Sequence, residues 1–162
     1  MGCDIHGYWE AQTPDGAWVA FYNINGARSY VWFGIIANVR SSQCSLTADR
    51  GIPDDASSAW NYYCNFMGRD LHSHTWLSHS EIKKANKLYT KYVCNEYQEE
   101  MSDPHEATIS ADTPVRCLYM SGQKKSFDVS AIPWTGTVAD LVGATSPRVI
   151  SSRLRYVCAF DN

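Results

Sequence analysis

The stretch Asp70-Leu71-His72-Ser73-His74-Thr75-Trp76-Leu77-Ser78-His79-Ser80-Glu81 joins two kinds of backbone at a marked point. Ser78 and Glu81 have capping-box spacing, in which each side chain satisfies the other residue's backbone amide. Beyond them Ile82, Ala85, Leu88, Tyr89, Tyr92 and Val93 form an apolar stripe, with Lys83, Lys84, Lys87 and Lys91 mostly opposite. That pattern predicts an amphipathic helix from Ser78 to about residue 100. Before the cap, D-x-H-x-H suits an extended segment, where residues i and i+2 share a face.

Working outward, residues 2–11 predict a strand. Thr13-Pro14-Asp15-Gly16 predicts a tight reversal, and residues 17–22 a second strand, so the N-terminus reads as a β-hairpin. Asn25-Gly26 breaks the chain, and Tyr30, Phe33, Ile36 and Ala37 give a short buried helix within residues 29–39. A polar loop over 41–55 ends in Arg50-Gly51-Ile52-Pro53-Asp54-Asp55, where Asp54 or Asp55 is placed to cap a helix over 56–67. Residues 101–113 read as loop, and 115–120 and 153–160 as strands. The last of these alternates Leu154, Tyr156, Cys158 and Phe160 on one face. The expectation is an α+β fold: one domain over residues 1–162, with a small, mainly antiparallel sheet and three or four helices packed on one face.

The chain has 162 residues, 44% hydrophobic and 19% charged, enough for a core and without the excess charge of a disordered chain. A net charge of −3 argues against a general nucleic-acid-binding surface. Six Trp, ten Tyr and five Phe divide between core filling and a stacking surface for a base or sugar, and most are assigned to the core. The six cysteines form no C-x-x-C pair, which suits reduced, buried thiols. Neither a signal peptide nor an apolar run of membrane length is seen. Gly2 lacks the Ser or Thr at position six that myristoylation wants, since His6 stands there. A cytoplasmic protein is expected, with its oligomeric state open.

The sharpest chemistry lies in Asp4-Ile5-His6 taken with Asp70, His72 and His74. Two D-x-H clusters side by side would offer imidazole and carboxylate to a divalent metal, with Zn, Mn or Fe favoured over Ca. Asp4, His6, His72 and His74 are the candidate ligands, and Asp70 the group that orients a histidine or acts as base. Such a metal would lower the pKa of a bound water and polarise a phosphoryl oxygen. Against this stands a purely structural role, in which Asp4 bonds a turn amide and the histidines brace the helix after Ser78. Glu10 lies too far along its strand to join Asp4 and His6. Among Arg28, Arg40, Arg50 and Arg69, Arg50 is the preferred phosphate contact because it precedes Gly51 in a sharply turning loop. Trp76 is either a base-stacking residue or the apolar staple packing near Ile82. No G-x-S-x-G elbow or Gly-rich phosphate loop is present, and Asp4 beside Cys3 disfavours a thiolate nucleophile.

Cys3-Asp4-Ile5-His6-Gly7 resembles the first block of calcineurin-like metallophosphoesterases. Asp70-Leu71-His72-Ser73-His74-Thr75 resembles the opening H-x-H block of PHP-domain phosphoesterases. The later blocks of both families are missing from the chain. A broader resemblance joins Met1-Gly2-Cys3-Asp4-Ile5-His6, Arg50-Gly51-Ile52-Pro53-Asp54-Asp55, His72-Ser73-His74-Thr75-Trp76-Leu77 and the closing Phe160-Asp161-Asn162. Together these resemble a group of small bacteriophage-encoded proteins of unassigned role. That resemblance implies an accessory protein in the host cytosol, of a kind that often counters host defence. Three functions follow as expectations: metal-assisted hydrolysis of a nucleotide, sequestration of an intact nucleotide, or binding of a host protein through an exposed face of the helix after Ser78.

Overall fold

The computed structural model describes residues 2–25, 28–40, 45–48, 50–97, 109–120, 129–132 and 136–162. His105, Cys44, Gly26 and the last turn expected of the helix after Ser78 lie outside them. The N-terminal hairpin forms as expected: β1 (Asp4–Gln12) and β2 (Trp18–Asn25) pair antiparallel around a turn closed by Gly16 N–H donating to the Thr13 carbonyl. Helices α1 (Tyr30–Ala37) and α2 (Ser58–Met67) follow, and a single 3-10 turn (Gly68–Asp70) leads into β3 (His72–Ser78). Helix α3 (His79–Tyr97) starts directly after β3. Then come β4 (Cys117–Met120), β5 (Val129–Ile132), α4 (Val138–Val142), α5 (Pro147–Ser152) and β6 (Leu154–Asp161).

The main sheet has the order β2-β1-β6-β3, with every pairing antiparallel, and β4 and β5 form a separate two-stranded ribbon. The α+β fold is therefore the observed one. The last strand is one of the two inner ones: β6 pairs with β1 from Asp4↔Asp161 to Ala11↔Leu154 and with β3 from His72↔Phe160 to Ser78↔Arg155. Its alternation sorts the core. Leu154, Tyr156, Cys158 and Phe160 join Ile5, Trp9, Leu77 and the buried residues of α1 and α3. Val157 and Ala159 face the other way, into a smaller cluster with Tyr8, Ala20, Leu71 and the α2 residues Ala59, Trp60 and Cys64. Helices thus cover both faces rather than one, because β6 is apolar on both sides and each side needs cover.

Two local expectations shift. Helix α2 is capped by Ser57, whose hydroxyl accepts from the Trp60 amide, rather than by Asp54 or Asp55. The hydroxyl reaches that amide and leaves Asp55 for other partners. The capping box of α3 forms as read: Ser78 N–H donates to the Glu81 carboxylate at 2.9 Å and Glu81 N–H to the Ser78 hydroxyl at 3.3 Å. Its apolar neighbour is Leu77, which shares a core with Ile82; Trp76 points to the opposite face. Cys3, Cys64, Cys117 and Cys158 are free and buried. Among the described residues no helix is long and apolar enough to cross a membrane.

Candidate functional site

The D-x-H residues are spread over two faces of the sheet. His6 opposes Ala159 on β6, while His72 opposes Phe160, the next residue, so the two imidazoles leave the sheet on opposite sides. The His72 ring lies 6.3 Å from the Phe160 ring, in line with that register. Asp70 sits in the 3-10 turn, exposed and outside the extended segment. Ser73 has φ +52 in a β3 register that shifts between His72 and Thr75, so strict alternation fails where His72 and His74 would have shared a face. Among the described residues no three of His, Cys, Asp and Glu converge where they could hold a metal ion. As placed, Asp4, His6, Asp70, His72 and His74 do not form one ligand set.

Asp4 and His6 have other partners. Both oxygens of Asp4 are forked by Arg28 at 2.9 Å, and its amide donates to Asp161 Oδ1. His6 Nδ1 lies 2.9 Å from the Tyr63 hydroxyl. Its Nε2 lies 3.1 Å from Asp161 Oδ2, near enough for an ion pair when the ring is protonated but too poorly aimed for a hydrogen bond. The result is a carboxylate–imidazole–phenol chain across β6, β1 and α2. Burial, and then the Asp161 charge, raise the Tyr63 phenol above its ordinary value, so Tyr63 stays protonated at neutral pH. Reading the sequence missed Tyr63 and Asp161, since nothing local marks residues that meet only through strand pairing. His74 is pushed towards its neutral form by burial and then by His72, and its carbonyl accepts from the Gly51 amide at 3.0 Å.

That last bond ties the Arg50–Asp55 loop to β3, where the loop forms one wall of a cleft. The loop, Trp18 of β2, Trp76 of β3 and Arg155 of β6 line a cavity of about 690 Å3. Arg50 and Trp76, both singled out by sequence, meet here: the Arg50 guanidinium lies 4.8 Å from the Trp76 ring centroid and donates to the Trp76 carbonyl at 3.1 Å. It also grips Glu81 with two bonds, of 2.9 and 2.7 Å, which hold that carboxyl down at about 2. Opposite, Arg155 lies 3.9 Å from the centre of the Trp18 ring. Arg155 is 5% exposed and Glu10 0%; the guanidinium donates to Glu10 at 2.6 Å and to Asp55 at 2.6 Å. Asp55 also accepts from the Trp18 indole N–H at 2.9 Å. Glu10 is thus committed about 13 Å along β1 from His6, as its position in the strand implied.

Trp18, Asp54, Asp55 and Arg155 were not assigned to a site from sequence. One weak signal was present: Arg155 directly precedes Val157 and Ala159 on its face of an otherwise largely apolar strand. Charge is now easy to place in the cleft. Arg50, Arg155 and Asp55 are each bonded to protein groups, whereas Asp54 is exposed and has no hydrogen bond or ion pair among the described residues. Compared with protein-family models, with curated proteins and with solved structures, the chain matches none. The chemistry of the cleft therefore carries the functional argument alone.

Proposed function

We propose that this protein binds a nucleotide in the Trp18–Trp76 cleft and holds it intact. One observation carries this reading: the Arg50–Asp55 loop folds so that two indoles and two guanidiniums edge a single cavity of about 690 Å3. That volume lies in the range of small-molecule sites, which run from about 300 to 1,000 Å3. Stacking on an aromatic face is worth about 1–3 kcal/mol per base, so two tryptophans supply a useful part of a small ligand's affinity. The hydrogen bonds of Arg50 to Glu81 and Trp76 occupy Nη1 and part of Nη2, leaving Nε–H for an anionic oxygen. With each arginine already opposed by a carboxylate, phosphate attraction is modest and ring stacking dominates. The resemblance to phage proteins adds a role: sequestering a nucleotide signal of host defence in the host cytosol.

A metal-assisted hydrolase using Zn or Mn is the second reading. It draws on one observation, that Nε2 of His72 is buried with no hydrogen-bond partner among the described residues, a state that suits a nitrogen awaiting a ligand. The arrangement of Asp4 and His6 favours the first reading, because a metal would have to displace Arg28, Tyr63 or Asp161.

The test is to incubate the protein with linear and cyclic nucleotides, with and without Mn and Zn. The free pool is chromatographed, the protein heat-denatured, and the pool chromatographed again. Binding without turnover predicts a nucleotide that disappears and returns unchanged, in either metal condition. Trp76→Ala should weaken retention about tenfold or more, in line with loss of one stacking partner. A metal-dependent product establishes hydrolysis instead. No change in any arm overturns both readings.

A further inference from the structure

We infer that the cleft selects guanine over the other bases through Asp54. The inference rests on the nucleotide-binding reading and adds to it the identity of the base. Four charged side chains line the cavity: Arg50, Arg155, Asp54 and Asp55. Arg50 is charge-paired with Glu81 and bonded to the Trp76 carbonyl, both through its terminal nitrogens, so that Nε–H takes no part in these bonds. Arg155 and Asp55 are spent on each other, on Glu10 and on the Trp18 indole N–H. Asp54 alone among them has no partner among the described residues, so the one charged side chain in the cleft not already paired is a carboxylate.

A carboxylate beside stacking indoles asks for a flat ring with hydrogen-bond donors on its edge. An ionised carboxylate only accepts, and its two oxygens take two parallel donors best. Guanine offers that pair in one plane, N1–H and the exocyclic N2 amine. Adenine presents an acceptor at N1 next to its amine, uracil a single ring N–H between two carbonyls, and cytosine an amine beside an acceptor. Each of the three therefore loses one bond to the carboxylate or sets a lone pair against it. A good bidentate contact to a base edge is worth about 1–3 kcal/mol of discrimination. The neighbours keep Asp54 in place for this. Pro53 before it fixes the backbone, the Ala56 amide closes a turn onto the Pro53 carbonyl at 3.0 Å, and Asp55 anchors the following residue to Arg155.

The experiment is calorimetry of the whole chain with GMP, IMP, AMP, CMP and UMP, repeated on Asp54→Asn. GMP should bind roughly tenfold or more tighter than AMP, CMP and UMP. IMP, which keeps N1–H but lacks the N2 amine, should fall between GMP and the other three. In Asp54→Asn the preference for GMP should collapse, with AMP affinity unchanged within about twofold. Asp54 is exposed and unpaired among the described residues, so the variant should fold; circular dichroism checks this, and the GMP-to-IMP ratio on the unaltered protein gives an independent reading. Equal binding of all five, a preference for another base, or a GMP preference that survives Asp54→Asn overturns the base assignment while leaving nucleotide binding standing. Failure of all five to bind overturns both.

Discussion

Arg155 shows how a single residue can serve both stability and the cleft. Its guanidinium is almost wholly out of water, bonded to a fully buried Glu10 on one side and to Asp55 on the other, with the Trp18 ring against its face. Removing one member of such a pair leaves the other charge buried alone, which costs about 3–5 kcal/mol. Arg155→Ala is therefore expected to lower the unfolding free energy by that amount in urea titrations. The double substitution Arg155→Met with Glu10→Gln should recover more than half of it, because no bare charge remains. A loss below about 1 kcal/mol in the single variant would mean that water reaches Glu10. The pair was not legible in the sequence. Glu10 and Arg155 lie 145 positions apart, and only the β1–β6 register makes them neighbours. What could be read was a charge set among the apolar residues of a strand, between Leu154 and Tyr156. The same limit hid Tyr63 and Asp161 beside His6, and it concealed that the register sends His6 and His72 to different faces.

At the scale of elements, legibility followed local signals. The capping box at Ser78–Glu81 and the stripe behind it fixed α3, and Pro14-Asp15-Gly16 fixed the first hairpin, because each signal is complete within a few residues. By contrast β5, α4 and α5 have four to six residues each, too short to establish a period. Helix α4 carries its own box, Thr137 with Asp140, that went unread for want of a stripe to follow it. The α3 terminus also yields a pH prediction. The Arg50 fork, helped by the Ser78 amide and hydroxyl, holds the Glu81 carboxyl at about 2 against an ordinary value of 4.5. A carboxylate held below its ordinary value stabilises the fold fully above that value, and the gain is lost as pH falls towards the depressed one. Glu81→Gln should thus be less stable than the unaltered chain at pH 7 by about 1–2 kcal/mol, a figure reduced for solvent screening of a side chain 24% exposed. The difference should shrink between pH 4.5 and about 2 and vanish below. Chemical denaturation across that range checks it, and parallel stability curves for the two proteins would show that the fork contributes nothing.

For the whole molecule the controlling fact is that the final strand lies inside the sheet. From Leu154 to Phe160 every residue of β6 is buried, and the strand supplies side chains to both cores. Fully burying a large apolar side chain contributes about 1.5–3 kcal/mol, so Leu154, Tyr156, Val157 and Phe160 together contribute roughly 6–12 kcal/mol. That is comparable with the entire stability of an ordinary domain, about 5–15 kcal/mol. One face of the strand also links the two polar sites: Arg155 belongs to the cleft and Asp161 to the His6 chain. A chain ending at Arg153 should accordingly show no cooperative unfolding transition and no near-ultraviolet dichroism from its buried tryptophans. Supplying residues 154–162 as a separate peptide should restore both signals in a concentration-dependent way, since the gap they fill is a defined groove between β1 and β3. The 162-residue chain, whose β1–β6 pairing must close a loop of nearly that length, should refold in milliseconds to seconds rather than microseconds. A cooperative transition in the shortened chain would place the folding core in β1, β2 and the helices. The buried strand would then have to be an addition to a structure already stable without it.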